Sequence, residues 1–341
     1  MAEVAEAAEA PTEPATVSAP AATVEVDTDE GDSSYGDDSE SYTTSLSSGI
    51  RNHTYENGRR YHAFRAGTYY APNDEAENDR LDMHHHLATL LLKGRLHVAP
   101  IGANPQRILD VGCGTGIWAI DMGDEYPSAQ IVGVDLSPTQ PSLVPPNVQF
   151  EIDDVEGDWT YNTPFDFIHT RFMVASIVNW PKLVKQTFTH LKPGGWCEFK
   201  DWDFTLHSTD NSLPPDSNIL KYHQLLFKAS DIMHRDWKPG AHLKKWVEEA
   251  GFENVEEQVL VVPIGTWPKD KHYKEIGAWH HIVKSEGLEA VSLRMFTNVL
   301  GWTPEEVLVF LTKVRAEFKD KRIHVQYNYH VVIGQKPQGT T

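Results

Sequence analysis

Cysteine is scarce in this chain: Cys113 and Cys197 are the only two among 341 residues. Neither forms a CxxC pair or sits at Cys/His ligand spacing, which argues against a zinc module and a disulfide-stapled fold and fits free thiols in a reducing compartment. No run of 18 apolar residues occurs, so no membrane-spanning helix is expected. The start at Met1 is acidic and lacks the basic and then apolar regions of a secretory leader; a cytoplasmic location is expected, with the nucleus as the alternative. Lysine and arginine are absent from the first fifty residues, which hold twelve of the 49 acidic residues. The formal net charge of −19 therefore leaves only −7 on the rest. A small basic group at Arg51, Arg59 and Arg60 does not repeat, and direct nucleic-acid binding is not expected without clustered cations.

What is present falls into three parts. Residues 1–48 are rich in Ala, Pro, Ser, Thr and acidic side chains, with little to bury, and read as a disordered acidic tail, either solubilising or a docking segment for a regulatory protein partner. Residues 49–104 form an aromatic and basic opening followed by a helix that starts at Asn73-Asp74 and carries Leu81, His84, Ala88, Leu91 and Leu92 as its apolar stripe. Residues 105–341 alternate strand-like and helix-like segments: "RILDVG", "IVGVDLS", "NVQFEIDD", "FDFIHTRF", "GGWCEFKDWDF", "VEEQVLVVPIG" and "HVQYNYHVVIGQKP" read as strands with helices between them. That beat specifies an α/β sheet with right-handed crossovers. Helical insertions at about 205–240 and 268–320 are expected to form a lid, the second containing a capping box at Thr303-Pro304-Glu305-Glu306.

The turn after the first of these strands contains Gly112, Cys113, Gly114 and Gly116, a GxGxG spacing. A dinucleotide fingerprint needs glycine at 117, where Ile117 stands, and no Lys-Ser/Thr pair of a phosphate loop follows. Asp110, two places before the first glycine, would repel a phosphate but tolerates a cationic amino group or sulfonium. Asp135 ends the next strand at the usual place for a carboxylate that holds two ribose hydroxyls. Asp154 and the Val155 backbone N–H are placed to serve an adenine ring, with Leu136 and Trp159 facing it. The array suits an adenosine joined to an amino acid.

The ordered segments "ILDVGCGTG", "VGVDLS", "DDV", "FDFIHTRF" and "LKPGGW" resemble the class I S-adenosylmethionine-dependent methyltransferases. The longer stretches "YENGRRYHAFRAGTYYAPNDEAENDRLDMHHH", "RFMVASIVNWPKLVKQTFTHLKPGGWCEFKDWD" and "YNYHVVIGQKP" resemble the fungal LaeA-like branch. The resemblance implies a Rossmann-like fold, a seven-stranded mostly parallel sheet with an antiparallel last strand and a helical lid, and S-adenosyl-L-methionine as cofactor. It implies O- or N-methylation of a small molecule, a fungal secondary metabolite, or, as the alternative, protein methylation or regulation of secondary metabolism through partner proteins. It also makes Tyr55, Arg59 and Tyr61 candidates to cover the methionyl end, with Arg59 or Arg171 pairing with its carboxylate.

Open α/β sheets bind ligands beyond the carboxyl ends of their strands. Glu198 is therefore the first candidate to orient or deprotonate substrate, with His169 and Asp201 beside it. Trp202, Asp203, Trp279 and His280 are candidates to contact the acceptor. His84-His85-His86, being consecutive on a helix, do not converge, and no metal site is expected.

Overall fold

The computed structural model describes residues 53–62, 64–65 and 69–339. The expected acidic tail lies outside the described residues. The described chain begins with a hairpin, β1 (Thr54–Glu56) and β2 (Arg59–Tyr61). Its turn is Asn57-Gly58, with φ of 52° and 77°, the left-handed pair that a two-residue hairpin demands. The Asn-Gly pair between two short strand-like runs is the local signal for this hairpin. Asp74 caps α1 (Glu75–Leu91) by accepting from the Glu77 backbone N–H, and it also takes both arms of the Arg59 guanidinium at 2.6 and 2.8 Å. One carboxylate thus starts the helix and staples the hairpin to it.

The remaining elements are β3 (Arg107–Val111), α2 (Ile117–Glu125), β4 (Gln130–Asp135), β5 (Val148–Ile152), β6 (Phe165–Arg171), α3 (Trp180–His190), β7 (Leu191–His207), α4 (Asn218–Met233), α5 (Gly240–Glu249), β8 (Glu253–Ile264), α6 (Lys271–Asn298), α7 (Pro304–Phe318) and β9 (Val325–Gln335). The sheet order is β5-β4-β3-β6-β7-β9-β8. The neighbours from β5 through β7 are parallel, and β9 runs antiparallel between β7 and β8. This is the expected seven-stranded, Rossmann-like class I methyltransferase fold.

The helices of the lid are held by a core that they share with the sheet. Trp202 and Phe204 of β7, Tyr222 of α4, Phe296 of α6, Leu311 of α7 and Tyr327 and Tyr329 of β9 belong to one buried apolar cluster that also takes in Leu87 of α1. Truncating a large side chain here, such as Phe296→Ala, is worth roughly 3–5 kcal/mol. Lid and sheet therefore share one core, and α1, α4 and α6 are fixed walls for whatever lies beneath them.

Candidate functional site

The glycine turn is shaped by bonds to the next strand. The N–H groups of Gly112 and Cys113 both donate to the Val134 carbonyl, at 2.9 and 3.0 Å. Asp135 continues the connection: one carboxylate oxygen accepts from Gly114 N–H and the other from Ser137 N–H, each at 2.9 Å. Burial pushes the Asp135 carboxyl above its ordinary pKa, while these two backbone donors pull it back down. Gly112, Gly114 and Gly116 have φ of 72°, 57° and 82°, a left-handed backbone that suits glycine. A Cβ on Gly112 would meet Met173 Sδ at 2.2 Å, and one on Gly116 would meet Phe150 at 2.4 Å.

A first hollow of about 1110 Å³, counting its open mouth, lies over these strand ends. Gly112, Cys113, Gly114, Asp135, Leu136, Asp154, Val155 and Arg171 line it, together with Tyr69 and Met173. Of the twelve residues expected at the cofactor, these eight are in the wall; Gly116, the N-cap of α2, is behind it against Phe150, and Tyr55, Arg59 and Asp110 are not in it. Asp154 holds the Glu156 N–H at 3.0 Å and Arg65 at 3.2 Å. Arg171 forms no hydrogen bond or ion pair among the described residues, and burial lowers the pKa of its guanidinium. A largely desolvated guanidinium without an anion is a mismatch that a carboxylate-bearing ligand corrects. With the backbone-pinned Asp135 at the ribose position, the donor set fits S-adenosyl-L-methionine.

Several expected site residues lie elsewhere. Tyr55 is 71% exposed on the hairpin, Arg59 is occupied by Asp74, and Tyr61 is buried under Arg294, 4.4 Å from the guanidinium carbon to the ring centre. None of the three lines the hollow; Tyr69, eight residues after Tyr61, does so instead. Trp159 is not in the wall of the hollow and donates its Nε1–H to the Val155 carbonyl.

Asp110, His169 and Glu198 stand neither at the cofactor nor at the acceptor position expected of them, for one reason. Parallel pairing places Asp110 opposite His169 and His169 opposite Glu198, so the three side chains share one face of the sheet. That face is sealed. His169 Nδ1 lies 2.8 Å from Asp110 Oδ1, and its ring stacks on Trp118 at 3.6 Å. Glu198 accepts from the Val98 and Ala99 N–H groups at 2.7 and 2.8 Å and pairs with Lys200 at 2.8 Å. Lys200 in turn donates to the Leu96 carbonyl. Burial pushes Asp110 up to about 7 and holds His169 well below its usual pKa. The layer anchors segment 96–99 against the sheet, and none of these residues reaches a hollow.

Asp201 points away from both cavities as well. It accepts from Met173 N–H at 2.7 Å and Trp202 N–H at 2.8 Å, bracing the loop after β6 where Phe172 and Ala175 adopt φ of 55° and 59°. Burial pushes its carboxyl up to about 8. Asp201 is thus a positioning residue for that loop.

A second hollow, about 910 Å³ with its mouth, adjoins the first, and both are walled by Tyr69, Leu81, Phe172 and Ser176. Its side is a ladder of flat rings. His84 stacks on Phe172 with centres 3.8 Å apart and planes 2° apart, then comes Trp202 at 5.7 Å and 12°, then His280 on Trp202 at 5.1 Å and 10°. Of the residues expected at the acceptor, Trp202 and His280 line this hollow. Asp203, on the opposite face of β7, accepts from Thr205 N–H and Oγ1–H instead, and Trp279 lies edge-on to His86 outside the cavity. Sequence reasoning missed Tyr69, Arg80, His84, Phe172 and Lys284, which line the hollow. His84 could have been found, because it falls in the apolar stripe of α1. Among the described residues no group of three ligating side chains could hold a metal, and no helix is long and apolar enough to cross a membrane.

Comparison with known proteins agrees with this geometry. A family described as methyltransferase domain matches residues 83–257. Methyltransferase pytC of Aspergillus terreus is 47% identical over 301 residues, covering 88% of this chain and 93% of that protein. Secondary metabolism regulator LAE1 of Cochliobolus heterostrophus is 41% identical over 290 residues, covering 83% and 94%. Protein-methionine methyltransferase laeA of Emericella nidulans is 36% identical over 289 residues, covering 83% and 76%. With eight strand-end residues gathered around one cleft and these relatives spanning most of its length, the chain belongs to the S-adenosyl-L-methionine-dependent methyltransferases, in the fungal branch that includes pytC and laeA.

Proposed function

We propose that this enzyme methylates a flat, aromatic small molecule, a fungal secondary metabolite, held in the second hollow. The observation that carries this is the ring-walled cavity that adjoins the cofactor cleft and is enclosed by α1, α4, α6 and β7. A wall of rings offers apolar faces and edges against which a planar guest can pack. A cavity of this size suits a compact molecule, whereas an extended peptide needs an open groove.

In this reading Arg171 pairs with the methionine carboxylate, the Gly112–Gly114 backbone lies along the methionyl part, Asp135 takes the ribose hydroxyls, and Asp154 and Val155 take the adenine. The cofactor, when bound, supplies an electrophilic methyl group on a sulfonium. The chain's own task is to hold the acceptor atom in line beyond Tyr69 and Phe172 and to exclude water; positioning of this kind supplies about 7–11 kcal/mol in well-aligned reactions. Glu198, His169 and Asp201 act on the frame and not on the acceptor.

The test is incubation of the enzyme with methyl-labelled cofactor and a fungal extract containing both metabolites and proteins, followed by mass spectrometry. Label in an aromatic small molecule supports the proposal. Label confined to protein overturns it in favour of protein methylation, the activity named for the laeA relative at 36% identity.

A further inference from the structure

The second hollow contains two cations, Arg80 and Lys284, and they are in different situations. Arg80 is neutralised: its guanidinium meets the buried Glu77 carboxylate at 2.6 and 2.8 Å. Lys284, one residue beyond the Val283 wall on α6, makes no hydrogen bond or ion pair among the described residues. Its Nζ sits 4.3 Å from the ring centre of Phe204 and 5.0 Å from that of Tyr327.

The titratable groups around Lys284 come from four elements: Arg80 and His84 on α1, Tyr222 and His223 on α4, His280 on α6 and Tyr327 on β9. Burial holds His84, His223 and His280 neutral by lowering their pKa values, and it raises those of Tyr222 and Tyr327. None of them supplies an anion. Burial, followed by the Arg80 charge, brings Lys284 down to about 7, so near neutral pH a good part of it is the free amine.

We propose that Lys284 is the acceptor-activating group, and that the second hollow selects molecules with an acidic hydroxyl, a phenol or an enol. This rests on the reading of that hollow as the acceptor site. On binding, the acceptor O–H bond breaks and its electron pair stays on oxygen; the amine lone pair of Lys284 takes the proton. The products are an aryl- or enol-oxide and an ammonium, a neutral pair made from two neutral groups. The ion pair supplies the missing anion, and the oxide is a stronger nucleophile than the parent hydroxyl. No oxidant or further reactant is needed. An amine acceptor would find no carboxylate here to draw it in, because Glu77 is already committed to Arg80.

The test uses 7-hydroxycoumarin, whose neutral and ionised forms absorb at different wavelengths. At one pH unit below its own midpoint, about a tenth of the free dye is ionised. Bound to the wild-type enzyme it is expected to be mostly ionised, and in Lys284→Met the ionised fraction of bound dye is expected to fall about tenfold. Titration of both proteins with S-adenosylhomocysteine checks that the cofactor cleft is intact; Lys284→Gln serves if the methionine variant does not fold. Neutral dye on the wild-type enzyme, equal ionisation with and without Lys284, or no binding by the wild type overturns the proposal, and the wild-type spectrum decides it without any variant. The two readings fail separately. Labelled protein in the extract experiment overturns the small-molecule acceptor while leaving the dye spectrum as it is, and neutral dye together with a labelled small molecule overturns only the role of Lys284.

Discussion

The two adjoining hollows are built in opposite ways. The first is made by the ends of consecutive strands, with glycines, the acidic residues Asp135, Asp153, Asp154 and Glu156, and a single arginine within the span from Gly112 to Arg171. Its Asp135 is pinned by backbone bonds to Gly114 and Ser137. The second is made largely by side chains from α1, β7, α4 and α6, more than two hundred residues apart at the extremes, and nine of its twenty lining residues carry rings. Backbone-pinned polar groups keep one ligand fixed. A wall of side chains is free to change its guest while the fold stays the same.

A third region, the sealed layer of Asp110, His169, Glu198 and Lys200, sharpens the contrast because its chemistry looks catalytic and its location is not. Substitutions there should act on stability, and those in the first hollow on cofactor affinity. The largest effect is expected for Glu198→Gln. Leaving Lys200 buried without its anion should cost about 3–5 kcal/mol in urea unfolding, with S-adenosylhomocysteine affinity of the folded protein unchanged. If Glu198→Gln is instead stable but inactive, the layer has been misplaced relative to the acceptor.

Next comes Asp135→Ala, which removes the ribose acceptor and two backbone anchors. A rise of about 100-fold in the calorimetric Kd for S-adenosylhomocysteine is expected, about 2.7 kcal/mol. Arg171→Met should raise the same Kd about 10- to 30-fold. Arg59→Met should leave it within about twofold while lowering stability by about 1 kcal/mol, since Arg59 holds the hairpin to α1 and not the ligand. Equal effects of the two arginine variants on affinity would erase the distinction between them.

The last expected effect is a slope. The Asp201 carboxyl is pushed up to about 8 by burial, so between its unfolded pKa near 4 and that value the folded state holds a proton that the unfolded state has released. Stability therefore falls as pH rises through this window and levels off above it. Asp201→Asn should flatten the dependence of the urea midpoint on pH between about 5 and 8. An unchanged slope would place its source elsewhere.

The first hollow was legible in the sequence and the second largely was not, for a physical reason. Gly112, Gly114, Asp135 and Asp154 fall at fixed offsets from strands that their own apolar runs announce, so local pattern and site coincide. The elements of the sheet and the Thr303 capping box were legible in the same way. His169, Glu198 and Asp110 were misassigned because alternation along a strand says that two residues share a face, not which face is sealed; that was decided by segment 96–99, which lies on top of Glu198. Arg59 was misassigned because its partner, Asp74, is fifteen residues further along the chain, at the start of α1. Lys284 carries no local signal, since its meaning comes from Phe204, Tyr327 and the Glu77-neutralised Arg80, which only the tertiary fold brings together.

The division of labour between the hollows is tested most directly by a crystal structure of the enzyme with S-adenosylhomocysteine. The expected result places the ligand in the first hollow, its carboxylate within ion-pair distance of Arg171 and its ribose on Asp135, with the cavity between His84, Trp202 and Lys284 left to the acceptor. A ligand seated among those rings, or one with its carboxylate turned away from Arg171, would contradict it.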